Sequence, residues 1–135
     1  MRVIGWSPNF TKERASAAGV EFIANKEDLL AQADVVSIHM VLSDRTRGMI
    51  GADDFSVMKP TAFFINTSRG PLVDEDALID ALQNKRIAGA GLDVFDVEPL
   101  PLDHPLRSLG NVTLTPHTGY VSDQNYAVSA TIFVE

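Results

Sequence analysis

The segment of residues 61–78 reads TAFFINTSRGPLVDEDAL, an apolar run followed by a polar loop and a helical pattern. The run at 61–65 comes directly after Pro60 and predicts a strand buried on both faces of a parallel sheet. Asp74 is the expected N-cap of the helix that follows. A parallel strand therefore carries Arg69 to its carboxyl end, where open α/β sheets bind ligands. From position alone, a solvated loop charge is the simpler interpretation of Arg69.

The same alternation of strand and helix continues on both sides of this segment. Short connections between the elements, without repeats or a linker, predict one α/β domain built on a parallel sheet with right-handed crossovers. The predicted strands span residues 2–6, 20–23, 34–38, 61–65, 87–93 and 111–115, and the predicted helices span 11–18, 25–33, a patch around 55–58, 74–85 and 122–135.

Composition narrows the function classes. A net charge of −7 argues against a general nucleic-acid binder, which would show a basic stripe. The absence of cysteine excludes disulfides and thiolate metal sites, and the three histidines show no metal-ligand spacing. No apolar run approaches the roughly 18 residues of a membrane span, and no signal peptide is recognised. We therefore expect a cytoplasmic protein without a nucleic-acid, membrane or metal partner.

Four polar residues follow the predicted carboxyl ends of strands: Arg69, Asp93, Glu98 and His117. Such ends converge at one edge of a parallel sheet, so we expect these side chains to lie close together. A guanidinium holds a carboxylate in a bidentate fork, and an imidazole paired with a carboxylate transfers a proton near neutral pH. The trio of arginine, glutamate and histidine thus suits chemistry on a small carboxylic acid. A histidine capping a strand end beside solvated acids is the alternative.

The sequence resembles the D-isomer-specific 2-hydroxyacid dehydrogenases over its whole length. The resemblance rests on NTSRG at 66–70 with VD at 73–74 and AL at 77–78, on GLDVF at 91–95 with EP at 98–99, and on HPL at 104–106 with NVTLTPH at 111–117. Any one of these motifs alone is a weak signal, and their order and spacing together are specific.

The resemblance implies roles for individual residues. Arg69 would bind the carboxylate of a small 2-oxo or 2-hydroxy acid, and His117 would protonate the carbonyl as hydride arrives, with Glu98 as its partner. Asp93 would contact the nicotinamide carboxamide. The remaining residues expected to line the dinucleotide are Ser7, His39, Met40, Val41, Thr46, Thr67, Ser68 and Gly119. His104 is expected to be a turn residue only.

The sequence departs from the family pattern in two places that concern the cofactor. Val41 replaces a proline common in the family, and Ser7-Pro8-Asn9 stands where an aspartate often binds the ribose 2′-hydroxyl. With Lys12 and Arg14 nearby, either NAD or NADP is compatible with the sequence.

The larger departure is that no G-x-G-x-x-G motif occurs in the 135 residues. We therefore expect a Rossmann-like, doubly wound parallel sheet that lacks the first β-α unit with its glycine-rich loop, so that residues 1–135 form a partial dinucleotide-binding domain without a substrate domain.

The missing strand would leave a gap between the strands at 2–6 and 34–38. Three outcomes are possible: the two strands pair directly, a strand from a second copy fills the gap in a homodimer, or the first 25 or so residues are disordered. The chain alone is expected to be an inactive part of an NAD(P)-dependent oxidoreductase, and a non-catalytic dinucleotide-binding or co-repressor-like module is the alternative.

Overall fold

A computed structural model describes residues 1–122 and 124–125 of the chain. Its strands are all parallel and form two separate sheets, one with the order β1-β2 and one with the order β3-β4-β5-β6. The strands are β1 (Ile4–Gly5), β2 (Glu21–Phe22), β3 (Val35–Ile38), β4 (Phe63–Asn66), β5 (Gly89–Leu92) and β6 (Val112–Leu114), and the helices are α1 (Lys12–Ala18), α2 (Lys26–Gln32), α3 (Ala52–Val57) and α4 (Glu75–Gln83).

Helix boundaries follow the capping residues expected from the sequence. The side chains of Thr11, Asn25 and Asp74 each accept a backbone N–H at the start of a helix, and Gly19 ends α1 in the left-handed conformation. Helix α4 ends at Gln83, two residues earlier than predicted. The predicted helix at 122–135 lies almost entirely outside the described residues.

The core of the four-stranded sheet lies on one of its faces. Phe64 of β4 is fully buried there and packs edge-on against Phe55 of α3, with ring centroids 5.3 Å apart. Helices α3 and α4 pack against each other beside it, and the hydrophobic core includes residues of both. In β3 and β4 the side chains alternate between this buried face and a more exposed one.

This alternation corrects the prediction for residues 61–65. The strand is Phe63–Asn66, and Phe63 is 49% exposed beside the 59% exposed Val35 of β3. The apolar run therefore has one buried face only among the described residues, the face on which Phe64 joins the buried side chains of α3 and α4 in the core. A continuous apolar run does not by itself show that both faces are covered.

The two-stranded sheet is joined to the rest by helix packing. No described strand pairs with both sheets, so direct pairing of β1 with β3 is not found. Residues 1–25 form β1, α1 and β2, which contradicts the alternative of disorder. Lys26 at the start of α2 forms an ion pair of 2.8 Å with Asp54 of α3 and also donates to the Met49 carbonyl, while Leu30 of α2 is buried in the main core.

Small residues in β5 permit close backbone packing. A Cβ at Gly89 would lie 2.6 Å from the carbonyl oxygen of Asn111, at the entry to β6. A side chain there would push the neighbouring segment away, so glycine keeps β5 and β6 in register. No helix in the described part of the chain is long and apolar enough to cross a membrane.

Candidate active site

Three of the predicted site residues follow successive strands of the four-stranded sheet. Arg69 lies three residues beyond β4, Asp93 directly beyond β5 and His117 three residues beyond β6. These strands are hydrogen-bonded neighbours and run parallel, so their carboxyl ends form one edge. Glu98 lies in the loop between β5 and β6, at the same edge.

His117 and Glu98 form a direct pair. The imidazole Nδ1 lies 2.6 Å from Glu98 Oε2, and about a third of each side chain is exposed. Because a carboxylate accepts hydrogen bonds, Nδ1 carries the proton and donates it, which leaves Nε2 as the free ring nitrogen. The ring also stands edge-on to Tyr120, with centroids 5.8 Å apart. A paired imidazole of this kind can give and take protons at Nε2.

Glu98 is held as an anion. Partial burial raises the pKa of its carboxyl. The hydrogen bonds from His117 and from the Phe95 backbone N–H, together with the positive charges of His117 and Arg69, lower this pKa by more than burial raises it. The net pKa therefore lies below that of an ordinary glutamate. The Phe95 N–H donates to Oε1 at 3.0 Å, so each carboxylate oxygen has its own partner. The peptide bond from Glu98 to Pro99 is cis.

Asp93 organises the turn that carries His117. Its buried carboxylate accepts hydrogen bonds from the Thr115 hydroxyl, from Thr118 N at 2.9 Å and from Gly119 N at 2.8 Å. Burial raises the pKa of this carboxyl, but these donors and the His117 charge lower it more, so the net shift is downward. Within this turn His117 adopts the left-handed backbone conformation with φ of 54°, which is uncommon for a residue with a side chain.

The Asp93 carboxylate, which was expected to contact a nicotinamide, thus already accepts hydrogen bonds from three donors of the protein itself. Sequence reasoning assigned no role to Thr115, although a hydroxyl two residues before the histidine is a visible candidate for such a donor. Asn66, which is 2% exposed, was also given no role of its own. Its side chain accepts from Ser68 N at 3.0 Å and donates to the Arg69 carbonyl at 2.9 Å, which shapes the loop after β4.

Arg69 lies on this shaped loop with its side chain exposed. Its guanidinium donates to the Ser68 carbonyl at 2.6 Å and forms no ion pair with a carboxylate among the described residues. Gly70 brings the loop against the Glu98 loop, because a Cβ at that position would lie 2.1 Å from the carbonyl carbon of Phe95. A cation is thereby placed beside Glu98 with its donors available to a ligand.

The other residues predicted to contact the cofactor fall into two places. Ser68 Oγ donates to the carbonyl of Ile38 at 2.8 Å, which joins Thr67 and Ser68 to the end of β3 and so to the loop that begins at His39. In that loop Val41 is 83% exposed and Met40 packs against the core, while Thr46 donates to the Val41 carbonyl at 2.7 Å. Ser7 instead follows β1 in the two-stranded sheet.

His104 was predicted to be a turn residue only, and the structure gives it a further contact. It precedes a 3-10 turn at Pro105–Ser108, where its Nδ1 accepts from Leu106 N, and its Nε2 lies 3.2 Å from a carboxylate oxygen of Glu75. This second histidine–carboxylate pair fastens the loop between β5 and β6 to the start of α4. No group of three or more potential metal ligands occurs among the described residues.

A cleft of about 530 Å³ opens beside the His117–Glu98 pair. Its walls are mainly apolar and include the Arg107 side chain. The lining residues are Phe95, Glu98, Pro99, Leu100, Arg107, Leu114, Thr115, Pro116 and His117.

The site agrees in part with the demands of a dinucleotide. The edge formed by the ends of β3, β4 and β6 offers exposed hydroxyls and a close backbone turn at Gly119, which suit a nicotinamide nucleoside. The pyrophosphate requires backbone N–H groups at a glycine-rich loop, and the 135 residues contain no G-x-G-x-x-G motif. The described residues therefore fit the reacting half of the cofactor.

Comparison with known proteins identifies a family for the chain. Residues 1–119 match the profile of the D-isomer specific 2-hydroxyacid dehydrogenase NAD binding domain. The whole chain is 40% identical to D-3-phosphoglycerate dehydrogenase of Methanocaldococcus jannaschii, covering 26% of that protein, and 42% identical to glyoxylate reductase of Korarchaeum cryptofilum, covering 40%. It also superimposes, over its full length and at 35% identity, on 46% of a phosphoglycerate oxidoreductase from Vibrio cholerae with a TM-score of 0.86.

These matches define the fold and the family together. The chain spans between a quarter and two fifths of the two curated relatives, within the part that binds the dinucleotide. The parallel sheet and the family profile confirm the Rossmann-like α/β class predicted from the sequence. The chain belongs to the D-isomer specific 2-hydroxyacid dehydrogenase family, as part of its NAD binding domain.

Proposed function

We propose that this chain carries the acid–base and substrate-binding groups of an NAD(P)-dependent 2-hydroxyacid dehydrogenase that acts on a small 2-oxo or 2-hydroxy acid. The observation that supports the proposal most directly is the 2.6 Å pair between His117 Nδ1 and Glu98 Oε2 at the carboxyl edge of the sheet. It presents Nε2 as a proton donor and acceptor. A histidine with only a capping role would not need a carboxylate held in place by a second donor.

In this function His117 Nε2 gives a proton to the carbonyl oxygen of a 2-oxo acid and takes it back from the hydroxyl in the reverse direction. Glu98 stabilises the protonated imidazole and keeps the ring in one orientation. Asp93 holds the turn between Thr115 and Gly119, so that the left-handed backbone at His117 is maintained.

Arg69 supplies the second substrate contact. Its guanidinium is exposed, lies close enough to Glu98 to lower that pKa, and has no carboxylate partner among the described residues. A substrate carboxylate would complete its bidentate fork. Binding there would orient a 2-oxo acid with its carbonyl toward the histidine.

A nicotinamide cofactor, when bound, supplies or accepts the hydride. The residues proposed to hold its reacting half are Thr67, Ser68, Asp93 and Gly119, with His39, Met40, Val41 and Thr46 in the adjacent loop. Ser7, after β1, is proposed to lie near the ribose 2′-hydroxyl instead. Arg14 donates to the Asn9 carbonyl at 3.3 Å, so a cation stands by the turn after β1, which supports NADP as well as NAD.

A chimera tests the proposal. Residues 1–119 replace the aligned segment of the Korarchaeum cryptofilum glyoxylate reductase, which is 42% identical over the whole chain. The folded chimera should reduce glyoxylate, and His117→Ala should lower turnover by about 10²–10⁴-fold, the usual contribution of general acid–base catalysis. Arg69→Lys should raise KM for the oxoacid through loss of the fork, while Arg86→Lys should not. A folded chimera that binds cofactor and loses nothing in His117→Ala would disprove the assignment.

We further propose that residues 1–135 are a partial dinucleotide-binding domain. The separate sheets and the missing glycine motif support this, because the strand before that motif is central in the usual order of a doubly wound sheet. The 135-residue chain should then bind NADH and NADPH feebly and show no turnover. Calorimetric titration with each cofactor decides the matter, and micromolar binding would refute the proposal.

A further inference from the structure

The loop between β5 and β6 is closed by an arginine that no motif assigned to the site. Arg107, in the 3-10 turn at Pro105–Ser108, donates from Nε to the Pro101 carbonyl and from Nη2 to the Leu100 carbonyl, both at 2.7 Å. One planar guanidinium thus holds two consecutive carbonyls. These carbonyls belong to the residues immediately after Glu98 and Pro99.

The position of Glu98 depends on this part of the loop. The Leu100 side chain is 8% exposed and anchors the segment in the core, but a buried side chain alone does not fix the direction of the peptide groups around it. The Leu100 carbonyl accepts from Arg107 only, among the described residues. The guanidinium, together with the His104 N–H that also donates to the Pro101 carbonyl at 3.2 Å, therefore holds the backbone from which the Glu98 carboxylate reaches back to Phe95 N and across to His117.

The Arg107 guanidinium is directed at the backbone and not at the Glu98 carboxylate. The cations that lower the Glu98 pKa are His117 and Arg69. Arg107 lines the same cleft as Glu98 and His117, yet both guanidinium donors are directed at backbone carbonyls. Any influence it has on the pair must pass through the geometry of the loop.

We propose that Arg107 is a positioning residue, whose fork on the Leu100 and Pro101 carbonyls keeps Glu98 in contact with His117. The inference rests on the proposed function of the pair and adds to it a residue that touches neither substrate nor cofactor. If Arg107 only made an ordinary loop contact, its removal would have a different effect. Such a contact would contribute to stability without changing the hydrogen bond between imidazole and carboxylate.

Nuclear magnetic resonance on the 135-residue chain separates these outcomes without turnover. The variants are Arg107→Gln and Arg107→Lys, with Arg86→Gln as the control because Arg86 is an exposed arginine paired with Asp80 on α4. The readouts are the His117 Nδ1–H proton resonance, which reports the 2.6 Å hydrogen bond, and the pKa of the Glu98 carboxyl followed through its carbon shift. Thermal melting accompanies each spectrum.

Both Arg107 variants should lose the imidazole proton resonance and show a Glu98 pKa moved upward, toward that of an ordinary glutamate. Lysine should fail like glutamine because an ammonium cannot span both carbonyls with a planar fork. The Arg86 control should match the wild type. If Arg107→Gln does not fold, Arg107→Lys carries the test.

A folded variant with the wild-type resonance and the wild-type Glu98 pKa would overturn the proposal, whatever its melting temperature. Normal behaviour in Arg107→Lys beside a shift in Arg107→Gln would show a charge effect and overturn it as well. Either result leaves the chimera assay of His117 unaffected, so failure of this inference is distinguishable from failure of the proposed function.

Discussion

The two sheets of this molecule are built from the same kind of parallel unit but are held in different ways. In the four-stranded sheet, three- and four-residue strands pack on a core in which Phe55, Phe64 and Leu82 are almost completely buried. In residues 1–25 the strands have two residues each, and only Ala15 and Ile23 are buried. Arg2 and Glu21 join β1 and β2 through an exposed ion pair of 2.6 Å.

The difference in strand length and burial shows which sheet holds the predicted site residues more firmly. His117, Glu98, Asp93 and Arg69 all depend on the four-stranded sheet, whose packing limits local opening. The only predicted site residue on the two-stranded sheet is Ser7. The following predictions test whether this contrast is real.

The largest effect is expected from truncation in the main core. Phe64→Ala should lower the free energy of unfolding by about 3–5 kcal/mol, because the cavity cannot collapse around the Phe55 ring. Phe22→Ala, in the two-stranded sheet, should cost only about 1 kcal/mol, since its ring is partly exposed and meets Phe10 at 6.2 Å. Urea unfolding followed by circular dichroism and by Trp6 fluorescence measures both. Equal losses of unfolding free energy in the two variants would show that the two sheets do not differ in how firmly they are packed.

A methyl group at Gly70 should disturb the site itself. Gly70→Ala would drive a Cβ into the Phe95 backbone, so the loop after β5 must move, at a cost of about 1–3 kcal/mol. Gly110→Ala is the matched control, because nothing lies within 4 Å of its added Cβ. Thermal melting gives the stability, and the His117 imidazole resonance gives the geometry. A Gly70→Ala protein indistinguishable from Gly110→Ala would show that the loops are not in contact.

Acid should weaken the His117 turn through Asp93. The lowered pKa of this carboxyl means that the unfolded chain takes up its proton first as pH falls. The stabilisation is complete above the unfolded pKa of about 4 and is lost as pH drops through the folded pKa. Asp93→Asn should be less stable at pH 7, because an amide N–H would face the Gly119 N–H, and the difference from wild type should shrink below about pH 4. Urea unfolding at several pH values measures it. A constant difference would contradict the role of the carboxylate.

The smallest effect is expected at the exposed ion pair of the two-stranded sheet. The hydrogen bond from Arg2 lowers the Glu21 pKa, burial opposes this and the Arg2 charge adds to the lowering, but at least half of each side chain is exposed. Glu21→Gln should therefore shift the melting midpoint only slightly, and the shift should vanish in about 0.5 M salt. Melting at two salt concentrations tests this. A large, salt-insensitive loss would mean that β1 and β2 depend on this pair more than on packing.

Local signals in the sequence were sufficient for the order of the elements and for the starts of α1, α2 and α4, whereas α3 begins at Ala52, before the predicted patch around 55–58. Thr11, Asn25 and Asp74 cap their helices with their own side chains, and such contacts span only three residues. The β-strand ends were harder to predict, since each observed strand is shorter than its predicted range. Strand length depends on how far the neighbouring strand runs alongside, which is not a local property.

The sequence by itself determined that a histidine, a glutamate, an aspartate and an arginine would follow parallel strands, because strand polarity places such residues at one edge. The family resemblance also implied that Glu98 pairs with His117, and only the tertiary structure decided the other partners. Asp93 turns toward Thr115 and the backbone of the His117 turn, Phe63 is left half exposed, and Arg107 closes the Glu98 loop. These outcomes depend on distances between residues that are far apart in the chain. The local alternation of apolar and polar residues does not predict such distances.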